Sequence, residues 1–420
     1  MKYTLKQKFI DNLITFMLIM STGGLLFVLN RNLLYALFIG LLIFSYVFFG
    51  KKLNKGIINS SIITLISVIS LFIVNYFFAV SEQSQNKYAY YIMVVSVSVI
   101  VLTYFKNNRT NSIFVNRIHF ILKLVVYHAL FNFIAFFFIK NNLSIITSTY
   151  HESESFLNIF FYSTERGIVN VFGIEFCRNQ GLFWEPGVLQ AFLNMFFFLE
   201  AFIIKEKKSM LLLSSFAILT TYSTTGLAIL LIQGGVYVYN EFRANKLLIP
   251  LVFISLIPVY MMFSVNVDEK IQGEKEASFQ KRLFDLTQPF FIALENPLTG
   301  IGLDIDQFTK MRQEFYFSSN TLSALQQQIG IESKVSGTDK GSSNSVMFLL
   351  AAMGFPTAIL FLYMFFKQQI IKEKKWLWMI IMLISVMSEP LLLRPFFFLF
   401  IISGFTNTFY KITSHQKQLI

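Results

Sequence analysis

Long apolar runs follow one another along nearly the whole chain, and their length limits the fold more than any other feature. A bilayer core is crossed by about 20 predominantly apolar residues in a helix. From the N-terminus the runs cover roughly 9–29, 33–49, 57–80, 88–105, 118–139, 185–204, 209–223, 226–240, 247–265, 345–366, 376–388 and 391–410. About twelve spans are therefore expected, several of them short. Lipid offers the backbone no hydrogen-bond partners, so such runs satisfy their own N–H and C=O groups as helices. Composition agrees: of 420 residues, 55% are hydrophobic and only 14% charged, with a mean hydropathy of +0.59. An ordinary water-soluble domain is excluded. The expected fold is all-α, a polytopic transmembrane helix bundle forming a single integral domain over 1–420.

Basic residues gather in alternate connectors. Lys2, Lys6 and Lys8 precede the first run, which the later spans mark as a helix and not a cleaved signal. Lys51, Lys52 and Lys55 follow on the same side, then Lys106, Arg109 and Arg117, then Lys205, Lys207 and Lys208. Arg243, Lys246, Lys367, Lys372, Lys374, Lys375, Lys411 and Lys417 complete a set of 20 of the 35 basic residues. The opposite short connectors hold only Arg31 and Lys87. The positive-inside rule then places both termini in the cytoplasm. The net charge of +12 is thus a topology signal, and no clustered basic face suggests nucleic acid. Cys177 is the one cysteine, which excludes an intrachain disulfide. The four histidines lack metal-ligand spacing, so neither a zinc site nor any other cofactor is expected.

Two connectors on the outer side are long, about 140–184 and 266–344, and function is expected there. The larger carries eight basic and eleven acidic residues, a mixture that does not select polyanions. Within it Phe279, Leu283, Leu286, Phe290 and Leu294 recur at helical spacing, broken by Pro289, as in a short amphipathic helix at the membrane surface. No internal repeat of fixed period is visible, which weakens an inverted-repeat transporter.

Four groups and one further pair could carry chemistry. In the first, Arg178 to Gly187, Gly181 permits an unusual backbone angle and Pro186 suits the first turn of a helix. Arg178 beside that N-terminus is either an anion site or an interfacial arginine reaching for headgroups. Glu185 is either a base, an orienter for Arg178, or a favourable acid at a helix start. The second group, Thr220 to Gly226, is a run of hydroxyl side chains including Ser223 and Thr224 that can bind sugar or phosphate, or merely bond helix backbone. In the third, Arg282 precedes Asn296, Pro297, Leu298, Thr299, Gly300, Ile301 and Gly302; the glycines are a weak phosphate-loop signal and suit a tight return. The fourth, Ser342 to Ser345, precedes a helix kinked by Gly354 and Pro356, with Asn344 a cap or a ligand. Glu389 and Arg394 flank Pro390; they suit a structural pair, or Arg394 holds a lipid phosphate.

In this order the groups resemble the bacterial O-antigen polymerase and O-antigen ligase family, polytopic proteins that build or transfer surface polysaccharide. The pattern is carried by Arg178, Gly181, Leu182, Phe183 and the Glu185-Pro186 pair; by Ser223 to Gly226; by Arg282 with the turn Asn296 to Gly302; and by Asn344 with Gly354. It covers roughly 175–365. Where ligases tend to carry an arginine this chain has Thr224 and Thr225, and where they carry a histidine base it has Ser343, departures that point from ligase toward polymerase.

The resemblance implies a metal-independent membrane glycosyltransferase at the outer face of the bacterial cytoplasmic (inner) membrane. It would move an O-antigen or capsule glycan from a polyprenyl (undecaprenyl) pyrophosphate carrier onto another lipid-linked repeat unit in polysaccharide or lipopolysaccharide biosynthesis. Arg178 and Arg282 would hold the pyrophosphate, helped by Arg394, with Glu185 or a loop carboxylate as base. Ser223, Thr224, Asn344, Gly300 and Gly302 would line the substrate. Partners would be the lipid-linked oligosaccharide, membrane lipid, and a chain-length regulator and a flippase of the same pathway. The alternatives are a ligase handing polymer to a lipid acceptor, and a flippase or other transporter.

Overall fold

A computed structural model of the chain describes residues 4–50, 54–142, 144–147, 152–155, 162–163, 167–171, 173–242, 250, 254, 257–271, 276–318 and 342–416. Among these, six helices are long and apolar enough to cross a membrane: Arg31–Phe49, Lys55–Phe78, Gln85–Asn108, Asn111–Asn142, Pro186–Ile204 and Ser345–Phe366. Shorter apolar helices occupy Lys208–Thr220 and Lys375–Ser388. The chain is a helical, multi-pass membrane protein, and the twelve apolar runs are not matched by twelve helices of spanning length among the described residues.

In chain order the first helices are α1 (Leu5–Met20), α2 (Leu25–Leu29), α3 (Arg31–Phe49), α4 (Lys55–Phe78), α5 (Gln85–Asn108) and α6 (Asn111–Ile139). Five short strands follow, β1 (Ser144–Thr147), β2 (Glu152–Ser155), β3 (Tyr162–Ser163), β4 (Ile168–Val171) and β5 (Ile174–Cys177). Then come α7 (Pro186–Phe198), α8 (Lys208–Thr220), α9 (Thr224–Phe242), α10 (Ile257–Ile271) and α11 (Glu276–Glu295). The last are α12 (Ile305–Ser318), α13 (Ser345–Phe366), α14 (Lys375–Ser388) and α15 (Pro395–Gln416). They form two compact units: Met1–Phe49, Thr110–Asp268 and Ile371–Ser385 in the first; Gly50–Arg109, Glu269–Ile370 and Val386–Ile420 in the second.

In the first unit, the opening apolar run is two helices where one was expected. Gly23 takes φ +130°, a conformation open to glycine alone, and a Cβ there would meet Val188 at 2.8 Å. The exposed backbone is taken up by a distant segment: Leu25 N donates to Leu182 O at 2.9 Å, and Trp184 N to Gly23 O at 3.1 Å. The loop 140–184 also departs from an all-helical reading. It carries antiparallel β1-β2-β3 and the hairpin β4-β5, in register Ile168 with Cys177 to Val171 with Ile174. Val169, Val171 and Phe176 of the hairpin pack on Tyr222. Helix α7 begins at Pro186, whose missing N–H costs nothing at a first helical position, and continues into a π-helical turn, Leu199–Ile204.

In the second unit α4, α5, α13 and α15 pack side by side. The rings of Phe72, Phe361 and Phe398 meet between them, with centroids 5.8 to 6.4 Å apart. Gly404 lets α15 approach the backbone of Met364 on α13, the role small residues serve between membrane helices. Helix α11 lies along α13. It runs through Pro289, where the sequence suggested a break. Leu286, Phe290 and Leu294 stay exposed on one face while Phe284, Asp285, Gln288, Ile292 and Ala293 are buried on the other. The side chains of Phe279 and Leu283 lie outside the described residues, as do Lys275, Lys334 and Lys340 of the same loop.

Candidate functional site

Each unit holds two of the four expected groups. In the first, Arg178, Asn179 and Gly181 form a tight corner against the end of α8. Arg178 Nε donates to the carbonyl of Thr221 at 3.1 Å, and the side chain keeps partial exposure. Asn179, buried, is the hub: its Nδ2 donates to Ala129 O at 2.7 Å and Thr220 Oγ1 at 3.0 Å. Its Oδ1 accepts from Gly181 N at 3.1 Å and Asn132 Nδ2 at 3.2 Å. Gly181 sits at φ +55°. Glu185 is the residue that caps α7, partly exposed, with no side-chain capping bond. A carboxylate there lies in the field of the helix N-terminus.

The hydroxyl run is divided between two uses. Thr220 and Thr221 donate to Ala217 O and Ile218 O, local backbone bonds that close the end of α8. Tyr222 turns the chain at φ +45°, and α9 then starts, Leu227 N donating to Ser223 O at 2.9 Å. Ser223 is buried, and Thr224 donates to Asn266 Oδ1 while remaining partly exposed. Asn266 on α10 also donates to Tyr222 O at 3.0 Å, so one amide fixes both sides of the corner.

In the second unit Arg282, Asp285 and Gln288 stand one turn apart along α11. Arg282 is partly exposed and Asp285 is buried. Asp285 Oδ2 accepts from Ser343 N at 2.9 Å and from Ser343 Oγ at 2.6 Å. Asp285 Oδ1 lies 3.0 Å from Arg312 Nη1 on α12, both side chains about 1% exposed. That approach is an ion contact off the hydrogen-bonding direction: Asp285 Oδ1 and Arg312 Nη1 and Nη2 make no hydrogen bond among the described residues. Arg312 Nε donates to Gln288 Oε1 at 2.9 Å, and the guanidinium lies 5.5 Å from the Phe308 ring centroid. Burial pushes the Arg312 guanidinium below its ordinary value, and Asp285 pushes back; arginine stays charged throughout.

The turn Asn296 to Gly302 docks on a break in α13. Gly354 leaves the helix at φ +71°, and Pro356 has no N–H to bond the carbonyl of Ala352. Phe355 N turns instead to Pro297 O at 2.8 Å. The freed carbonyls of Ala351 and Ala352 accept from Ile301 N and Gly302 N, each at 2.9 Å. Gly300 sits at φ +67°, and a Cβ there would fall 2.4 Å from Ala351 O. The N–H groups of Gly300 and Gly302 are thus spent inside the fold, on Asn296 O and Ala352 O. Their contribution to any substrate contact runs through the loop they shape. Asn344 caps α13, its Oδ1 accepting from Val346 N and Met347 N at 3.2 and 3.1 Å. Arg394 Nη1 donates to Tyr90 OH at 2.6 Å and lies over that ring.

Residues 209–362 match the O-antigen ligase family. The resemblance read from the motifs therefore holds over this stretch, and the family matched there is one of membrane glycosyltransferase-like enzymes. The O-antigen ligase stretch runs from α8 to the broken α13 and contains Ser223, Thr224, Arg282, Gly300, Gly302 and Asn344, with Asp285 and Arg312. Arg178, Glu185 and Arg394 lie outside it. No curated protein matches the chain.

Sequence reasoning passed over Asn179, Asn266, Asp285, Gln288 and Arg312. Asp285 and Gln288 carried a legible signal, two polar residues three apart opposite an apolar helical stripe; Asn179 and Asn266 carried none until their backbone partners were known. One possible metal-holding group exists among the described residues, His119, Glu200 and Glu206 within 4.8 Å. Its atoms already have protein partners: His119 Nε2 meets Glu200 Oε2 at 2.6 Å, and Glu206 bonds Lys123 at 3.0 and 3.1 Å.

Proposed function

We propose that the protein is a polysaccharide polymerase that transfers an O-antigen or capsule glycan from a polyprenyl pyrophosphate carrier to another lipid-linked repeat unit. The reaction takes place at the outer face of the bacterial cytoplasmic membrane, and both termini are cytoplasmic. The observation that carries the reading is the family-matched body of the second unit: Arg282 on α11, the Asn296 to Gly302 turn and the Asn344-capped, broken α13 are packed into one piece. Attack on the anomeric carbon expels a pyrophosphate, and positioned cations that hold the developing negative charge accelerate that step. Arg282, exposed enough to meet ligand, is assigned to the pyrophosphate, and no metal is required. In the first unit, Arg178, Glu185, Ser223 and Thr224 form a second candidate binding corner, and Arg394 is a further candidate for lipid phosphate. A chain-length regulator and a flippase are the expected pathway partners.

The ligase name of the matched family supports a second reading, transfer of finished polymer to a lipid acceptor. Surface glycan from the source bacterium with the gene deleted, restored, and restored with Arg282→Ala separates them. A polymerase deletion leaves single repeats on their anchor and loses the long-chain ladder, which Arg282→Ala fails to restore. Polymer accumulating on its lipid carrier would identify a ligase, and an unchanged ladder would remove both readings.

A further inference from the structure

Glycosyl transfer to a hydroxyl requires that the hydroxyl lose its proton, and the second unit contains a group arranged to receive one. The segment entering α13 has four polar side chains, and three are spent on the fold. Ser342 bonds Asn344 at its backbone N and O, Asn344 caps the helix, and Ser345 Oγ donates to Glu389 O while accepting from Leu391 N. Ser342, Asn344 and Ser345 are buried; Ser343 alone of the four keeps partial exposure. Its hydroxyl points its proton inward, to Asp285 Oδ2 at 2.6 Å, and its backbone N bonds the same oxygen. A serine that donates inward still has lone pairs to accept an O–H arriving from outside.

Behind Ser343 the chain maintains a buried ion pair, Asp285 with Arg312, the latter held by Gln288 and by the Phe308 ring. Burying two charges is costly, and apolar residues of similar volume often hold a fold as well. Charged groups arranged behind an accessible hydroxyl are the pattern expected of a working site.

We propose that Ser343 and Asp285 form the proton relay of the transferase, with Arg312 as the residue that orients and balances Asp285. The inference rests on the glycan-transfer reading. The acceptor hydroxyl bonds to Ser343 Oγ; as its oxygen attacks the donor's anomeric carbon, its proton passes to Ser343 Oγ while the serine proton passes to Asp285 Oδ2. The new C–O bond forms, the anomeric C–O bond to pyrophosphate breaks, and the leaving group departs with the electron pair. Asp285, transiently protonated, later returns its proton to the departed pyrophosphate or to water.

The test uses the full-length protein in liposomes with a polyprenyl-pyrophosphate-linked repeat unit as both donor and acceptor. Ser343→Ala removes the relay oxygen and leaves the ion pair intact. Its kcat should fall about 100-fold, the ordinary contribution of a positioned proton acceptor. KM for the lipid-linked donor should stay within about twofold of the unaltered value. Ser343→Thr should restore most of the rate, and Asp285→Asn, which leaves Arg312 without its counter-charge and is read per folded protein, should match Ser343→Ala. The solvent deuterium effect on kcat should change in Ser343→Ala. Wild-type kcat in Ser343→Ala, or a loss tracking only the folded fraction, would overturn the relay. If the unaltered protein transfers no glycan, the transferase reading falls first, and the relay with it.

Discussion

Arg312 and Asp285 show how much one buried charge depends on another. Each side chain is about 1% exposed, and the ion contact at 3.0 Å is what balances them. Arg312→Met leaves Asp285 buried without a counter-charge, and a loss of about 3–5 kcal/mol is expected. Adding Asp285→Asn should recover most of it, since the amide needs no counter-charge and still accepts from Ser343. Thermal midpoints of the two variants in detergent check this, and a double variant no more stable than the single would contradict the argument. Asn344 makes a smaller claim. Its Oδ1 accepts from two N–H groups at the start of α13, so Asn344→Ala should cost about 1 kcal/mol. Asn344→Asp should cost almost nothing, as read by the same melting curves. These residues were unevenly legible. Asn344 stood before an apolar run, where a cap belongs, whereas Arg312 was one charge among nineteen in a long loop, with nothing local to mark its burial.

At the scale of elements, breaks in helices decide where the loops sit. The break in α13 was readable because Gly354 and Pro356 stand two apart inside an apolar run; what it binds was not, since the Asn296 to Gly302 turn is some fifty residues away. The break between α1 and α2 was missed for the same reason: Gly23 and Gly24 become a pairing site only through residues 182–184. Pro289 misled in the other direction, because burial of one face of α11 holds the helix through it. The strands of 140–184 were missed as well, being short and without strong alternation. The turn offers a quantitative check. Gly300→Ala meets both a left-handed φ and a carbonyl at 2.4 Å, whereas Gly173→Ala meets a φ of +81° with open space around it. Gly173→Ala should therefore cost only the conformational penalty, about 1–2 kcal/mol. Gly300→Ala should cost clearly more and should raise hydrogen exchange over 296–304, because the turn must lift from α13. Equal costs would mean that docking on α13 contributes little.

For the whole molecule, the apolar runs and the basic connectors make independent statements, one about which segments lie in lipid and one about which side each connector occupies. The proposed orientation rests on the second. A basic connector translocates poorly, and 20 of the 35 cations fall on the side assigned to the cytoplasm. The single cysteine makes the assignment accessible. Cys177 is buried, so Cys177→Ser gives a background without thiols in which one reporter cysteine can be placed at will. Glu175, whose side chain is 60% exposed on β5, lies in the loop assigned to the outer face, and exposed Glu373 lies in a basic connector assigned to the cytoplasm. In intact cells or spheroplasts a membrane-impermeant maleimide should label Glu175→Cys and leave Glu373→Cys unlabelled until the membrane is opened. The reverse pattern would turn the protein over and place the proposed transfer on the cytoplasmic side. Labelling of both before opening would mean that the two connectors share a face, and the five crossings expected between them would have to become an even number. The reverse pattern would move the chemistry relative to the membrane while leaving the packing of Arg282, Asp285, Arg312 and Ser343 as it stands, because that packing is set by contacts within one unit and not by the direction in which the chain entered the lipid.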